Sequence, residues 1–174
     1  FPTRRSSDLN ITYGTKTAIT IDFANIASSS TLTAGVESNE ISNASNLYDD
    51  VLVQGKVYPG TTPTSGKTIA VYVWGSDVSL ATVALDVLDG TASAETITNE
   101  GVRNAFLKLG AAVTLTAATS NQEHPVGPFS VASLFGSMPK FWGLFITHDT
   151  AVNSYNNAAN TNAFNYTGIT YTTA

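Results

Sequence analysis

Period-two alternation constrains this chain more than any other feature in it: apolar side chains recur at every second position, not at helical spacing. Successive side chains of a strand point to opposite faces, so such runs bury one face and wet the other. Lys16 to Phe23 sets Ile19, Ile21 and Phe23 on one face, with Ala18 opposite. Leu47 to Tyr58 groups Val51, Val53, Gly55 and Val57 against Tyr48, Asp50, Leu52, Gln54, Lys56 and Tyr58, and Pro59-Gly60 closes it. Lys67 to Trp74 (KTIAVYVW) is β-branched and aromatic throughout, and Lys140 to Thr147 (KFWGLFIT) is apolar enough to be a central strand. A short strand is expected within Ser30 to Val36, a pair at Asn104–Leu109 and Ala112–Thr116 broken at Gly110, and a last strand at Ala163–Tyr171. Ser130 to Phe135 reads as one helical turn beneath a sheet.

The links between these strands are long. Residues 27–46 are Ser/Thr/Asn-rich, 76–100 fit neither period and hold one short extended piece, and 121–128 and 153–162 read as loops. Seven to nine strands joined by such links define an all-β chain. The expected architecture is a two-sheet antiparallel β-sandwich, jelly-roll-like, whose crossovers need that reach; an immunoglobulin-like sandwich is the alternative.

Composition narrows the function. Charged residues make up 12% of the 174 and hydrophobic residues 43%, so charge runs at about half its usual share. Neutral groups, led by 25 threonines, must therefore supply the polar surface. That profile excludes coiled coils, helical bundles and charge-driven disorder. A net charge of −5 repels phosphate backbones, so no nucleic-acid partner is expected. No apolar run approaches the ~20 residues of a membrane-spanning helix, so no membrane partner is expected either. Cysteine is absent.

Phe1 to Leu9 (FPTRRSSDL) differs from the rest. It holds two of the three arginines, the third being Arg103. Its codons can be written as a common sequencing-library adapter, so residues 1–9 are read as a translated artefact and 10–174 as a single β-sandwich domain. Without Arg4, Arg5 and Asp8 the net charge becomes −6.

Candidate chemistry is sparse. His124 (in Glu123-His124-Pro125) and His148 (in Thr147-His148-Asp149-Thr150) are the two imidazoles, and each reads as a structural or surface residue. Asp49 and Asp50 adjoin on a strand and point to opposite faces, which does not suit one cation. Asp86, Asp89 and Glu95 surround the Asp89-Gly90 turn without the spacing of a calcium loop. Gly66-Lys67-Thr68 resembles the tail of a phosphate loop, but the preceding glycine is misplaced and a strand follows. No nucleophile elbow occurs at Ser76 or Ser137. The expectation is a non-enzymatic protein with no catalytic, cofactor or metal residues and no cofactor. Trp74, Trp142, Tyr72, Phe141 and Phe145 lie in the most apolar strands and are read as core, not as a sugar-stacking platform. Tyr48, Tyr58 and Tyr155 lie in more polar surroundings and are the candidate contact surface.

Several stretches resemble the small virion structural proteins of tailed bacteriophages. They are Asn10-Ile-Thr-Tyr-Gly-Thr-Lys-Thr-Ala-Ile-Thr-Ile, Ala34-Gly-Val-Glu-Ser38, Leu47-Tyr-Asp-Asp50, Gly55-Lys-Val57 and Gly60-Thr-Thr-Pro-Thr64. Ser130-Val-Ala-Ser-Leu-Phe-Gly136, Met138-Pro-Lys-Phe-Trp-Gly143 and Thr147-His-Asp-Thr150 follow. The resemblance spans most of 10–174 and departs from the pattern at Val36, where arginine is expected. It implies a virion location, a capsid decoration or cement role, contacts with the major capsid protein or other virion proteins, and a homo-oligomer, dimer or trimer. A tail- or fibre-associated carbohydrate-binding or host-attachment module is the alternative.

Overall fold

The structure is a computed structural model and describes residues 9–173. Phe1 to Asp8 of the adapter-like segment lie outside the described residues, and Leu9 opens the first strand.

In chain order the elements are β1 (Leu9–Tyr13), β2 (Thr17–Ala18), β3 (Ala34–Glu37), β4 (Ile41–Ser42), β5 (Asp50–Val57), β6 (Thr68–Ser76) and β7 (Ala94–Thr96). Then come α1 (Glu100–Phe106), β8 (Lys108–Thr114), β9 (His124–Ser130), α2 (Val131–Phe135), β10 (Phe141–His148), a 3-10 turn (Ala158–Asn160) and β11 (Phe164–Thr173). One sheet has the order β1-β11-β5-β9, with β2 also on β11; the other has β7-β3-β10-β6-β8, with β4 also on β10. All pairs are antiparallel.

Setting aside the short β2, β4 and β7, the remaining strands pair first with last, second with seventh, third with sixth and fourth with fifth. That is a long antiparallel hairpin rolled over on itself, the jelly-roll connection. It departs from the immunoglobulin arrangement, which splits its strands differently between the sheets.

The apolar pattern explains the layers. Val51, Val53 and Val57 of β5, with Phe164 and Tyr166 of β11, face Ile69, Val71 and Val73 of β6 and Trp142, Leu144 and Ile146 of β10 across the sandwich. Val36 joins this core, where an arginine would lie unpaired. A second core covers the outer side of the other sheet. Leu80, Leu88, Ile97 and Leu107, from the segment between β6 and β8, bury Ala70, Tyr72, Trp74 and Phe145. Strands buried on both faces lose their alternation, which is why β6 and β10 read as continuous apolar runs. Each side chain of this covering strap contributes ~1.5–3 kcal/mol by leaving water. Gly143 makes room for the Trp74 indole on the covered face: a Cβ there would stand 2.5 Å from it.

Four expectations are corrected. Asn104–Leu109 is not a strand: α1 occupies Glu100–Phe106, with the Asn99 side chain accepting from Val102 N at 2.9 Å and Glu100 in the first turn. That cap and acid pair outweighs the weak alternation after it. Gly110 does not break β8, which runs through it; the missing Cβ leaves space for the Phe129 ring. Residues 121–128 are not all loop, since β9 begins at His124; its Pro125 and Pro128 are tolerated because it is an edge strand. Lys16–Phe23 forms only the two-residue β2, although Ile19, Ile21 and Phe23 are buried as the alternation requires. Beyond β2 its hydrogen bonds go to Phe164 O, the Asn162 side chain and Asn160 O.

Candidate contact surface

The three tyrosines do not form one site. Tyr48 precedes β5 and Tyr58 follows it, so the eight-residue strand separates them by ~26 Å at ~3.3 Å per residue. Each of the three is half-buried.

Tyr48 belongs to the end of the core. The Asn43 side chain clamps its backbone, accepting from Tyr48 N at 2.9 Å and donating to Tyr48 O at 3.0 Å. Its ring lies on Gly168, where a Cβ would come within 2.4 Å of it. The adjacent Asp49 continues the lattice: its N–H donates to Ile169 O, and its carboxylate accepts from Tyr171 N at 2.6 Å. Asp50 accepts from Val51 N and from Ala132 N at 2.9 Å, which fastens α2 to β5.

Tyr58 and Tyr155 are brought together by Asn160, a buried amide. Asn160 Nδ2 donates to Tyr58 O at 3.0 Å and Tyr155 O at 2.9 Å, while its Oδ1 accepts from Tyr58 N. The Tyr58 hydroxyl donates to the Glu123 carboxylate, and Lys56 Nζ reaches the same oxygen at 3.1 Å. The Tyr58 hydroxyl, then Lys56, hold the Glu123 carboxyl below its usual range; the same Tyr58 and Glu123 groups raise Lys56. Both charges are exposed, so the triad is a solvated pair with little bearing on stability. Beside it lies a shallow groove of about 310 Å³, with Lys16, Gln54 and Asn165 on its walls. Nothing in the sequence linked Tyr58 to Tyr155, because Asn160 makes the connection across a hundred residues.

The other candidates hold the fold. His148 is buried edge-on to Phe23, its Nε2–H donating to Ile26 O at 2.9 Å and its Nδ1 meeting Thr150 Oγ1 at 2.8 Å. Burial pushes its pKa down. His124 lies at the start of β9, also lowered by burial. Asp149 accepts from Thr68 N at 2.6 Å and pairs with Lys67 at 3.2 Å; β6 follows directly, with no helix for a phosphate. Asp86 accepts from the backbone and hydroxyl of Thr98, Asp89 from Thr91 N, and Glu95 from the Ser93 hydroxyl. No cluster of three or more metal-ligating side chains occurs among the described residues. Trp74, Trp142, Tyr72 and Phe145 are buried in the two cores.

Sequence reasoning missed Glu37, which lies fully buried on β3 and accepts from Asp89 N at 3.1 Å and Gly90 N at 3.0 Å. Burial drives its carboxyl up to about 7 against the two backbone donors, and the neighbouring charges of Asp89 and Glu95 add to the rise. Glu40 assists by accepting from Leu80 N at 2.7 Å. The two carboxyl groups tie the covering strap to the sheet. Its far end is held by Arg103, which donates to Thr31 O and Leu32 O and lies 5.4 Å from the centre of the Tyr72 ring.

Fold and surface together define a jelly-roll module with an overlaid strap. No family model and no curated protein matches the chain. Among solved structures, a chain of the T13 IBDV viral particle is similar over 95% of this sequence, with 12% identity and a TM-score of 0.31. The match covers 36% of that chain, so this sequence spans about a third of it.

Proposed function

We propose that the chain is a non-enzymatic structural protein of a tailed-bacteriophage virion that decorates or cements the capsid through protein–protein contacts. The observation that carries this reading is the employment of the polar residues in the phage-like stretches. Glu37 holds the strap, Ser38 Oγ accepts from Leu144 N, and Asp49 and Asp50 fasten β11 and α2. Thr147 donates to Ala34 O, and His148 and Asp149 anchor Ile26 and Thr68. A resemblance that falls on fold-determining positions supports a role carried by shape, not by a reaction centre. The neutral polar exterior suits broad contacts of low charge. Jelly rolls also serve lectins, so fold alone does not choose between virion and sugar. Burial of the tryptophans favours the virion reading over sugar stacking.

The test is co-sedimentation of the purified chain with phage capsids lacking their decoration protein, alongside a glycan array. Saturation at a fixed number of copies per capsid supports the proposal. Saturable glycan binding without capsid binding overturns it in favour of an attachment module.

A further inference from the structure

The rim of the first sheet carries a feature that the capsid reading does not use. Among the described residues, four of the eight exposed large apolar side chains lie on β1 and its partner: Leu9 is 62% exposed, Ile11 47%, Tyr13 62% and Tyr171 42%. Leu9, Ile11 and Tyr13 share one face by the strand period, and Tyr171 sits directly opposite Ile11. That face is the outer one, because the alternate residues Phe164 and Tyr166 of β11 point into the core.

Among the described residues, nothing pairs with the outer edge of β1. β9, at the other rim of its sheet, carries Pro125 and Pro128; β7 is three residues long; β8 runs beside β9. Those are the usual ways of blunting an edge, and the described residues supply none of them at β1. Gly14 N donates to Gly168 O, so by alternation residues 10, 12 and 14 turn their backbone groups toward β11. The N–H and C=O groups of residues 9, 11 and 13 therefore point outward.

We propose that β1 pairs antiparallel with β1 of a second copy of this chain, about a two-fold axis at Ile11. This register is self-complementary. Ile11 opposes Ile11, each Leu9 opposes a Tyr13 on the same outer face, and each Asn10 opposes a Thr12 on the other face. The outward groups of residues 9, 11 and 13 form the hydrogen-bonded pairs of the new ladder, as an isologous interface requires. Neither β1 nor Thr170–Thr173 carries a charged residue, so two acidic copies meet here without like charges. Edge pairing buries the rims of two five-residue strands and leaves their outer faces in water, so it falls below the ~1,000 Å² of a stable specific interface and the dimer is reversible. Backbone groups carry the ladder whatever side chain stands at position 9, within the adapter-like segment.

Sedimentation equilibrium of the full chain over a concentration series, with three variants, tests this. Ile11→Pro removes an outward N–H and no bond to β11, so dimerisation should weaken at least tenfold with the thermal midpoint held. If that variant melts early, Tyr13→Lys gives the same readout from the side chain. Ile11→Cys, in a chain without cysteine, should cross-link on mild oxidation, because hydrogen-bonded partners have Cα atoms ~5.5 Å apart, within disulfide reach. Asn10→Cys should not, its copies standing roughly 8 Å apart from the strand rise and spacing. A monomer at every concentration, a dimer indifferent to Ile11→Pro and Tyr13→Lys, or equal cross-linking at 10 and 11 overturns the pairing. The pairing stands apart from the capsid reading: a monomer that saturates capsids refutes the former alone, and a dimer that ignores them refutes the latter alone.

Discussion

Glu37 makes stability depend on pH in a direction unusual for a carboxylate. It is fully buried, and its carboxyl is raised from 4.5 to about 7 by desolvation, despite two backbone N–H donors. Between those values the folded chain holds a proton that the unfolded chain has released. By linkage, stability falls as pH rises through that window. The contribution is fully present below about 4.5 and lost above about 7. At 1.36 kcal/mol per pKa unit the span corresponds to about 3 kcal/mol. His148 runs the other way: lowered by burial, it favours the fold above the ordinary imidazole range and is lost as pH falls. The wild-type profile alone therefore mixes the two.

The Glu37→Gln variant separates them. Glutamine cannot titrate, but its amide presents a donor where one carboxylate oxygen accepts, which leaves Asp89 N or Gly90 N unpaired. That costs ~1–3 kcal/mol at every pH. Urea unfolding followed by the fluorescence of Trp74 and Trp142, both fully buried, gives both stabilities at pH 4.5, 6 and 8. The wild type should exceed the variant most at pH 4.5, and the gap should close by about 2–3 kcal/mol at pH 8. Titrations elsewhere cancel in the difference. A constant gap across the range would refute the assignment of a buried, protonated Glu37.

Two other perturbations have expected outcomes. Gly168→Ala drives a methyl into the Tyr48 ring and should cost ~1–3 kcal/mol by overpacking; adding Tyr48→Ala should make the pair strongly non-additive in a double-mutant cycle, whereas simple additivity would show that the ring moves aside freely. His148, followed by NMR, should titrate below the ordinary 6.5, and a midpoint at or above that value would contradict its burial against Phe23.

Much of this fold was legible because strand burial writes itself into the sequence as period two. Val51, Val53 and Val57 face the core as the alternation of β5 requires, and Ser130 to Phe135 forms its helical turn. Two kinds of element were illegible for opposite reasons. β9 carries prolines that argue against a strand, yet at a rim their missing N–H groups are harmless. α1 is too short for a helical stripe to emerge, so its one strong signal was the cap at Asn99 followed by Glu100. The contact candidates fared less well as a group. Exposure of a tyrosine depends on what the chain lays over it, and Asn43 and Gly168, distant in sequence, draw Tyr48 into the end of the core.

The covering strap left no periodic signature in the sequence. Residues 76–100 showed no period because they form almost no ladder; they supply single apolar plugs, Leu80, Leu88 and Ile97, to a sheet that already has one buried face. A β-sandwich that buries both faces of one sheet leaves the outer face of the other sheet, the rims and the strap's own exterior for contact, with Val78 and Val83 exposed on the strap. On that remaining sheet, the prolines of β9 blunt one rim, and among the described residues nothing covers the other, where β1 carries apolar side chains. The strap therefore bears on function indirectly: by closing one side of the molecule it restricts the places where another protein can add to the fold.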